Sequence, residues 1–181
     1  MTQILDLSKP YQEIYSRYSK NHQKNIEKAL NSGLSVKQNG NPDDFITLLM
    51  HMYRSKNLTD VSGSDIENLN KIVNYAINHD LGEIYFGYVG NHLCAASFFL
   101  TWNNRSIIFT AQNHKGRKIS AMFGIIDHYI QNNASKKVIL DFAGSMLPGV
   151  AKRNKGFGAK DYEYFAVRAN DLPWPLKYLK K

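Results

Sequence analysis

The sequence lacks most features of secreted, membrane and metal-binding proteins. Its 181 residues include one cysteine, Cys94, so no intrachain disulfide can form. No run of about 18 apolar residues predicts a transmembrane helix, and residues 1–6 lack the charged start and apolar stretch of a signal peptide. We therefore expect a cytoplasmic protein without membrane insertion, in which Cys94 is a small core residue.

Metal-ligand spacing and repeats are also missing. His51, His79 and His92 stand at no zinc-like spacing from an acid or a cysteine, so no metal site is predicted. With 43% hydrophobic residues, the chain suits a single domain over residues 1–181. Residues 1–40 are expected to form an N-terminal strand and helical arm of that domain, and residues 171–181 a basic tail.

Acidic residues are scarce, and the resulting positive charge is uneven. The chain has 23 Lys and Arg against 15 Asp and Glu, a net charge of +8. Residues 113–181 hold thirteen of the basic and five of the acidic residues, a net +8, whereas residues 41–112 hold four and seven, a net −3. This distribution favours phosphate-bearing or polyanionic partners, nucleotide cofactors and RNA included. A generally basic surface without a specific partner is the alternative.

Apolar residues at helical spacing predict several helices before any long strand. After a short strand at residues 4–7, the helix starts are marked by Ser8 with Pro10, by Ser19, by Asn41 with Pro42, and by a capping box of Ser64 and Glu67. Gly33 is expected to end the second of these helices. The polar face of that helix is predicted to carry Lys20, His22, Lys24 and Lys28. This face is either exposed to solvent or in contact with phosphate groups of a ligand.

Aromatic and β-branched segments then predict a meander of three antiparallel strands. The strands cover residues 83–89, 92–102 and 105–111, and two-residue turns separate them. A helix at 119–132, a strand at 137–142, a short helix at 148–155 and a strand at 162–168 follow. The fold class is therefore α/β, with a mixed, mostly antiparallel central sheet flanked by helices. Ligands in such sheets bind where strands diverge, here between the strands ending near Gln112 and Phe142.

The segment from Ile107 to Ser120 is the strongest candidate for a ligand site. An apolar strand enters a short basic loop, and a helix follows it. Unsatisfied N–H groups at a helix start attract anions, and Lys115, Arg117 and Lys118 add positive charge. The loop is either a phosphate site or a solvated connection.

The predicted order of elements is similar to the GNAT acyltransferase fold. Three stretches resemble FemAB-like transferases more narrowly: the basic segment 18–29, the "DFxGS"-like strand end at 140–145, and the segment 149–159 that ends in "FGA". FemAB-like proteins contain two such folds in tandem, and this chain resembles the C-terminal one. The resemblance implies transfer of an acetyl or aminoacyl group to a small-molecule or peptide amine, with acyl-CoA or aminoacyl-tRNA as donor. It also implies a second GNAT-like domain or a homo-oligomer as partner.

The resemblance also assigns residues to roles. The GNAT pyrophosphate loop has the pattern Gln/Arg-x-x-Gly-x-Gly/Ala, which this sequence matches only partly. The residues that occupy its place are Gln112, Asn113, Lys115, Gly116, Arg117 and Lys118. Asp141 is a candidate base or acceptor-positioning group, or a residue that bonds the following turn. Ser145 is a candidate substrate ligand or a helix cap, and Tyr164 a candidate acid or a packing residue.

General acid–base catalysis also suggests His114, which lies within the loop. Amine acylation needs no covalent intermediate, so the absence of a Ser-His-Asp pattern does not argue against an enzyme. The competing hypothesis is a non-catalytic module that binds RNA or a partner domain, based on the Lys and Arg residues of 9–28 and 113–181.

Overall fold

A computed structural model describes residues 1–56, 61–143 and 148–165. In these ranges the chain forms seven strands and seven helices. The strands are β1 (Thr2–Asp6), β2 (Leu34–Gln38), β3 (Gly82–Val89), β4 (His92–Trp102), β5 (Arg105–Gln112), β6 (Ile139–Asp141) and β7 (Lys160–Tyr162). The helices are α1 (Tyr11–Ser16), α2 (Lys20–Asn31), α3 (Pro42–Ser55), α4 (Gly63–Asn78), α5 (His114–Lys118), α6 (Ala121–Asn133) and α7 (Pro148–Lys155).

All seven strands form one sheet in the order β2-β3-β4-β5-β6-β1-β7. Every neighbouring pair is antiparallel except β5 and β6, which are parallel. The first strand of the chain lies inside the sheet, between β6 and β7. The N-terminal residues are therefore part of the sheet, and the predicted mixed, mostly antiparallel sheet is confirmed.

Helices cover both faces of the sheet, because successive side chains of a strand point to opposite sides. On β3 and β4, Tyr85 and Phe99 belong to a core shared with α2 and α6, whereas Phe86 and Phe98 belong to a second core shared with α3 and α4. Cys94 is buried, as predicted. The two cores fix α6 and α3 on opposite faces beside the end of β5.

The predicted meander is confirmed, and most differences concern local signals. The capping box uses Ser62 and Asp65 rather than Ser64 and Glu67, and Pro10, without a side-chain cap, precedes α1 in place of Ser8. The strand β2 was not predicted: its five residues are short, and only Leu34 is buried. It forms by pairing with β3.

Two further predictions are corrected. His22 does not lie on the polar face of α2, because its side chain is only 4% exposed. The last strand begins at Lys160, before the predicted residue 162, and residues 163–165 are not in a strand. Its position follows from backbone pairing with β1, and side-chain alternation carries no signal for that pairing.

Candidate functional site

The strands β5 and β6 diverge after a short parallel contact. Their register runs from Arg105 opposite Ile139 to Ile107 opposite Asp141, and it ends there. The strand β5 continues to Gln112, so on the side of β6 its residues 108–112 pair with no strand in the described part of the chain. Free backbone N–H and C=O groups at a strand edge need partners, and an extended amide-containing ligand can supply them. The predicted gap near Gln112 and Phe142 therefore exists.

Asp141 lies at the fork of the two strands and is surrounded by donors. Its Oδ1 accepts hydrogen bonds from the Thr2 hydroxyl (2.5 Å) and the Ala143 backbone N–H (2.9 Å). Its Oδ2 accepts two from the Arg105 guanidinium, at 2.6 and 2.9 Å. The Arg105 guanidinium also lies 5.4 Å from the ring centre of Tyr162. This carboxylate is 6% exposed and engaged by four donors, so its clearest role is to hold β1, β5 and β6 together.

The loop after β5 is shaped by Asn113 and Gly116. The Asn113 side chain accepts a hydrogen bond from the Gly116 N–H (2.9 Å) and donates one to the Leu93 carbonyl (3.0 Å). A Cβ at Gly116 would stand 2.3 Å from the Cys94 carbonyl oxygen. Both residues therefore build the loop, and the five-residue α5 has its own cap. Lys115, Arg117 and Lys118 are exposed.

The start of α6 also leaves backbone N–H groups unpaired, close to the loop in sequence. Ser120 has a positive φ of 62° and gives the helix no side-chain cap, since its hydroxyl donates to Asn25 Oδ1 of α2 (2.9 Å). The backbone N–H groups of Ala121 and Met122, both buried residues, have no hydrogen-bond partner within the described ranges. Such groups at a helix start bind anions. The sequence prediction missed them because it began the helix at residue 119, before Ser120.

A cavity of about 490 Å³ separates α3 from the start of α5. Its floor is apolar, with Leu48, Met52 and Leu93, and its polar wall includes Asp44, His51, His114 and Arg117. His114, which the sequence placed in a loop, is exposed beside the end of β5 and lines this cavity. The sequence prediction did not include the α3 residues, because on a helix Asp44 and His51 look like ordinary solvent-facing positions.

The remaining predicted site residues lie elsewhere. Tyr164 is 58% exposed and follows the end of β7, and Ser145 lies outside the described residues. Tyr162, rather than Tyr164, reaches the group around Asp141, through its contact with Arg105. Asn113, His114 and Arg117 thus line one cavity. Tyr164 follows β7, which lies three strands away from β5 in the sheet.

A buried histidine connects α2 to α7. One ring nitrogen of His22 lies 2.8 Å from the Ser19 hydroxyl, and the other lies 2.7 Å from the Arg153 carbonyl. The ring also packs edge-on against Phe123 and Phe157. Burial lowers the pKa of His22 below its ordinary value. These contacts assign His22 to the core, not to a solvent-exposed phosphate contact.

Solved structures show the same fold at low sequence identity. FemX superposes with a TM-score of 0.69 at 10% identity over 88% of this chain, and a conserved protein of unknown function from Bacteroides thetaiotaomicron with 0.63 at 13% over 86%. The chain spans 58% and 54% of these two proteins. An aminoglycoside acetyltransferase from an uncultured soil metagenomic sample, solved with sisomicin, gives 0.52 at 12% identity, with 80% of this chain and 99% of that one covered. The chain therefore has the fold of FemX and of this acetyltransferase, and the predicted GNAT-like fold is confirmed.

Sequence comparisons add nothing to this result. No family model matches the chain, and no curated protein does. Within the described residues, no helix is long and apolar enough to cross a membrane. The same residues contain no group of three or more His, Cys, Asp or Glu side chains that could hold a metal ion.

Proposed function

We propose that this protein is an N-acyltransferase that moves an acyl group from a phosphate-bearing donor, such as acyl-CoA, to an amine. The observation that carries the proposal is the parallel fork of β5 and β6 inside an acyltransferase fold. The fork leaves a strand edge open on β5, and the uncapped start of α6 follows it after the short helix α5. An activated donor with an amide chain and a phosphate group has complementary groups for both features.

The donor's phosphates are assigned to the start of α6. The unpaired N–H groups of Ala121 and Met122 lie there, and Lys115 and Lys118 precede them by a few residues. Helix starts and neighbouring lysines stabilise anions by hydrogen bonds and charge. Asn113 and Gly116 shape the loop, while the edge of β5 at residues 108–112 takes the amide chain.

The reaction requires an amine nucleophile in its neutral form. A base removes a proton from the ammonium group, the amine nitrogen bonds to the acyl carbon, and the carbon–sulfur bond of a thioester, or the carbon–oxygen bond of an ester, breaks. The leaving thiolate or alkoxide takes up a proton, so overall one proton is released. We assign the base to His114, which is exposed beside the donor edge. Asp141 is assigned the role of holding the fork of β5 and β6 in place.

A donor-binding measurement tests the proposal. Coenzyme A and acetyl-CoA are expected to raise the melting temperature, and K115A/K118A is expected to weaken binding about tenfold or more through lost charge-assisted contacts. The matched control is K136A/K137A, which removes two lysines after the opposite end of α6, about 20 Å away by helix length. If coenzyme A, acyl-CoAs and aminoacyl-tRNA all leave the melting temperature unchanged at saturation, the proposal is wrong.

The second candidate is a non-catalytic module for RNA, and a groove on α2 favours it. Lys20 and Lys24 line a cavity of about 520 Å³ together with Tyr15, and Lys28 is also exposed. Lysines beside an aromatic ring suit phosphate and base contacts. Reversing the three lysines to Glu should then abolish RNA binding at low salt. Wild-type protein without measurable RNA affinity would remove this candidate, and donor binding in the same protein would favour the enzyme.

A further inference from the structure

The cavity between α3 and α5 is lined by charged and titratable side chains that have no partner in the protein. Asp44, His51, His114 and Arg117 form no side-chain hydrogen bond or ion pair with any described residue. Other exposed charges, such as Lys118 and Glu67, also form no ion pair with described residues, so these four are distinguished by lining one cavity. Four unpaired groups around one apolar floor are typical of a small-molecule site.

The charges in this cavity have opposite signs. Asp44 contributes a carboxylate from the first turn of α3, and Arg117 a guanidinium from α5. They line the same cavity and yet form no ion pair with each other. A ligand that satisfies both must carry a cationic and an anionic group, with an apolar body for Leu48, Met52 and Leu93.

We propose that this cavity binds the acyl acceptor, and that the acceptor is a small zwitterionic amine of the amino-acid type. Asp44 holds the ammonium group, Arg117 holds the carboxylate, and the apolar floor holds the side chain. This inference rests on the proposed function, since it places the acceptor beside the donor edge of β5. His114 lines this cavity and lies two residues after the end of β5, and it takes the ammonium proton before the carbon–nitrogen bond forms.

Four related probes test the recognition without any donor. L-leucine carries both charges, leucinamide only the positive charge, N-acetyl-leucine only the negative charge, and isoamylamine has the amine and apolar body alone. Titration followed by amide chemical shifts of residues 44–55 and 113–117 is expected to give the tightest binding for leucine. Leucinamide should bind about tenfold more weakly than leucine, and N-acetyl-leucine more weakly still.

Two substitutions separate the two charge contacts. D44N should weaken leucine and leucinamide alike, by about tenfold, while R117Q should weaken leucine only, to the affinity of leucinamide. The matched controls are D43N, the neighbouring acid outside the cavity, and R54Q on the same helix, and both should bind leucine like the wild type. Unchanged melting temperatures identify variants that fold correctly.

Two results would overturn this inference. Binding of N-acetyl-leucine as tight as that of leucine would contradict recognition of the ammonium group by Asp44. Shifts confined to residues outside the cavity would contradict its location. Coenzyme A binding is measured separately. If the wild-type protein binds coenzyme A but not leucine, the acceptor assignment alone is refuted. Absence of donor binding with intact leucine binding refutes the enzyme and leaves an amino-acid-binding module.

Discussion

The two halves of the central sheet are held together differently. Within the first half, β2 and β3 pair over five positions, and β4 shares eight with each of β3 and β5. The strands β6, β1 and β7 share three positions per pair. Side-chain bonds reinforce them, from Thr2 to Asp141 and from Asn154 to Gln3, across 139 and 151 residues of sequence.

This difference teaches where the fold is most sensitive to single changes. The meander rests on a long backbone ladder, to which every residue except proline can contribute its N–H group. The second half has few backbone bonds, so its individual side-chain contacts carry more of its stability. It also contains one side of the candidate donor gap. Substitutions of polar side chains there should therefore cost more than substitutions of polar or turn residues in the meander, and they should disturb the site.

The largest effect is expected at Gly156, which follows α7. A Cβ there would stand 1.8 Å from Cε1 of His22, a ring that two hydrogen bonds and two aromatic contacts hold in place. G156A should lower the free energy of unfolding by about 3 kcal/mol, the upper range of overpacking effects. Urea unfolding measures it.

The matched control for this substitution is G149A. Gly149 lies in α7, and an added Cβ would meet no atom within 4 Å. The change should be neutral or stabilise the protein by up to about 1 kcal/mol, since alanine favours helix. Equal costs for the two variants would show that His22 is not confined as the structure indicates.

The second effect concerns the ion pair at the fork. D141N removes the charge that Arg105 faces and should cost about 2 kcal/mol. This is less than for a fully buried pair, because the Arg105 side chain is 39% exposed. E13Q breaks the ion pair between Glu13 and Arg17, whose side chains are 44% and 51% exposed, respectively. This substitution should cost under about 1 kcal/mol. Similar losses for both would contradict a special role for the fork.

The sequence predicted the meander well because its signals are local. Alternating aromatic and β-branched residues and the turn pairs Gly90-Asn91 and Asn103-Asn104 each act within a few positions. By contrast, nothing local to Thr2 or Gln3 indicates that β1 enters the sheet between β6 and β7. The short β2 and the early start of β7 were missed for the same reason.

The candidate site divides in the same way. The loop after β5 was predicted as a candidate site from its basic residues and its position before a helix. The groups added by folding come from distant parts of the chain: Asp44 and His51 from α3, and the free edge of β5 from its divergence from β6. The burial of His22 also depends on packing against α7, which the spacing of α2 alone does not encode.

A smaller, pH-dependent effect is expected where α1 meets α6. Asp127 is 3% exposed and accepts hydrogen bonds from the Tyr11 hydroxyl and the Gln131 amide, and burial raises its pKa. The Asp127 carboxyl group therefore stays protonated to a higher pH in the folded state than in the unfolded state. The stability that this difference contributes is present at low pH, and it is lost as the pH rises from 3.8 through the raised pKa of Asp127. D127N should therefore gain stability relative to the wild type as pH increases from 3 to 7.

The control for this slope has the opposite sign. The Ser62 hydroxyl and backbone N–H lower the pKa of Asp65, so this carboxylate stabilises the protein above its ordinary pKa. D65N should lose stability relative to the wild type as pH rises. Unfolding curves for the three proteins between pH 3 and 7 measure both slopes. Parallel slopes for the two variants would contradict the buried position of Asp127.

Apart from the control substitutions, the smallest effect should arise in the meander, at the turn between β4 and β5. Asn104 has a positive φ of 60°, a conformation that asparagine tolerates better than alanine. N104A should cost about 1 kcal/mol, and N104G should be close to neutral. The Asn104 carbonyl accepts a hydrogen bond from the Ile139 N–H (2.8 Å), and both variants keep this bond. The rate of hydrogen exchange at the Ile139 amide should therefore change only in proportion to the global free energy of unfolding. A cost for N104A above that of D141N would reverse the ranking of the two halves, and would mean that the turn, rather than the fork, sets the position of β6.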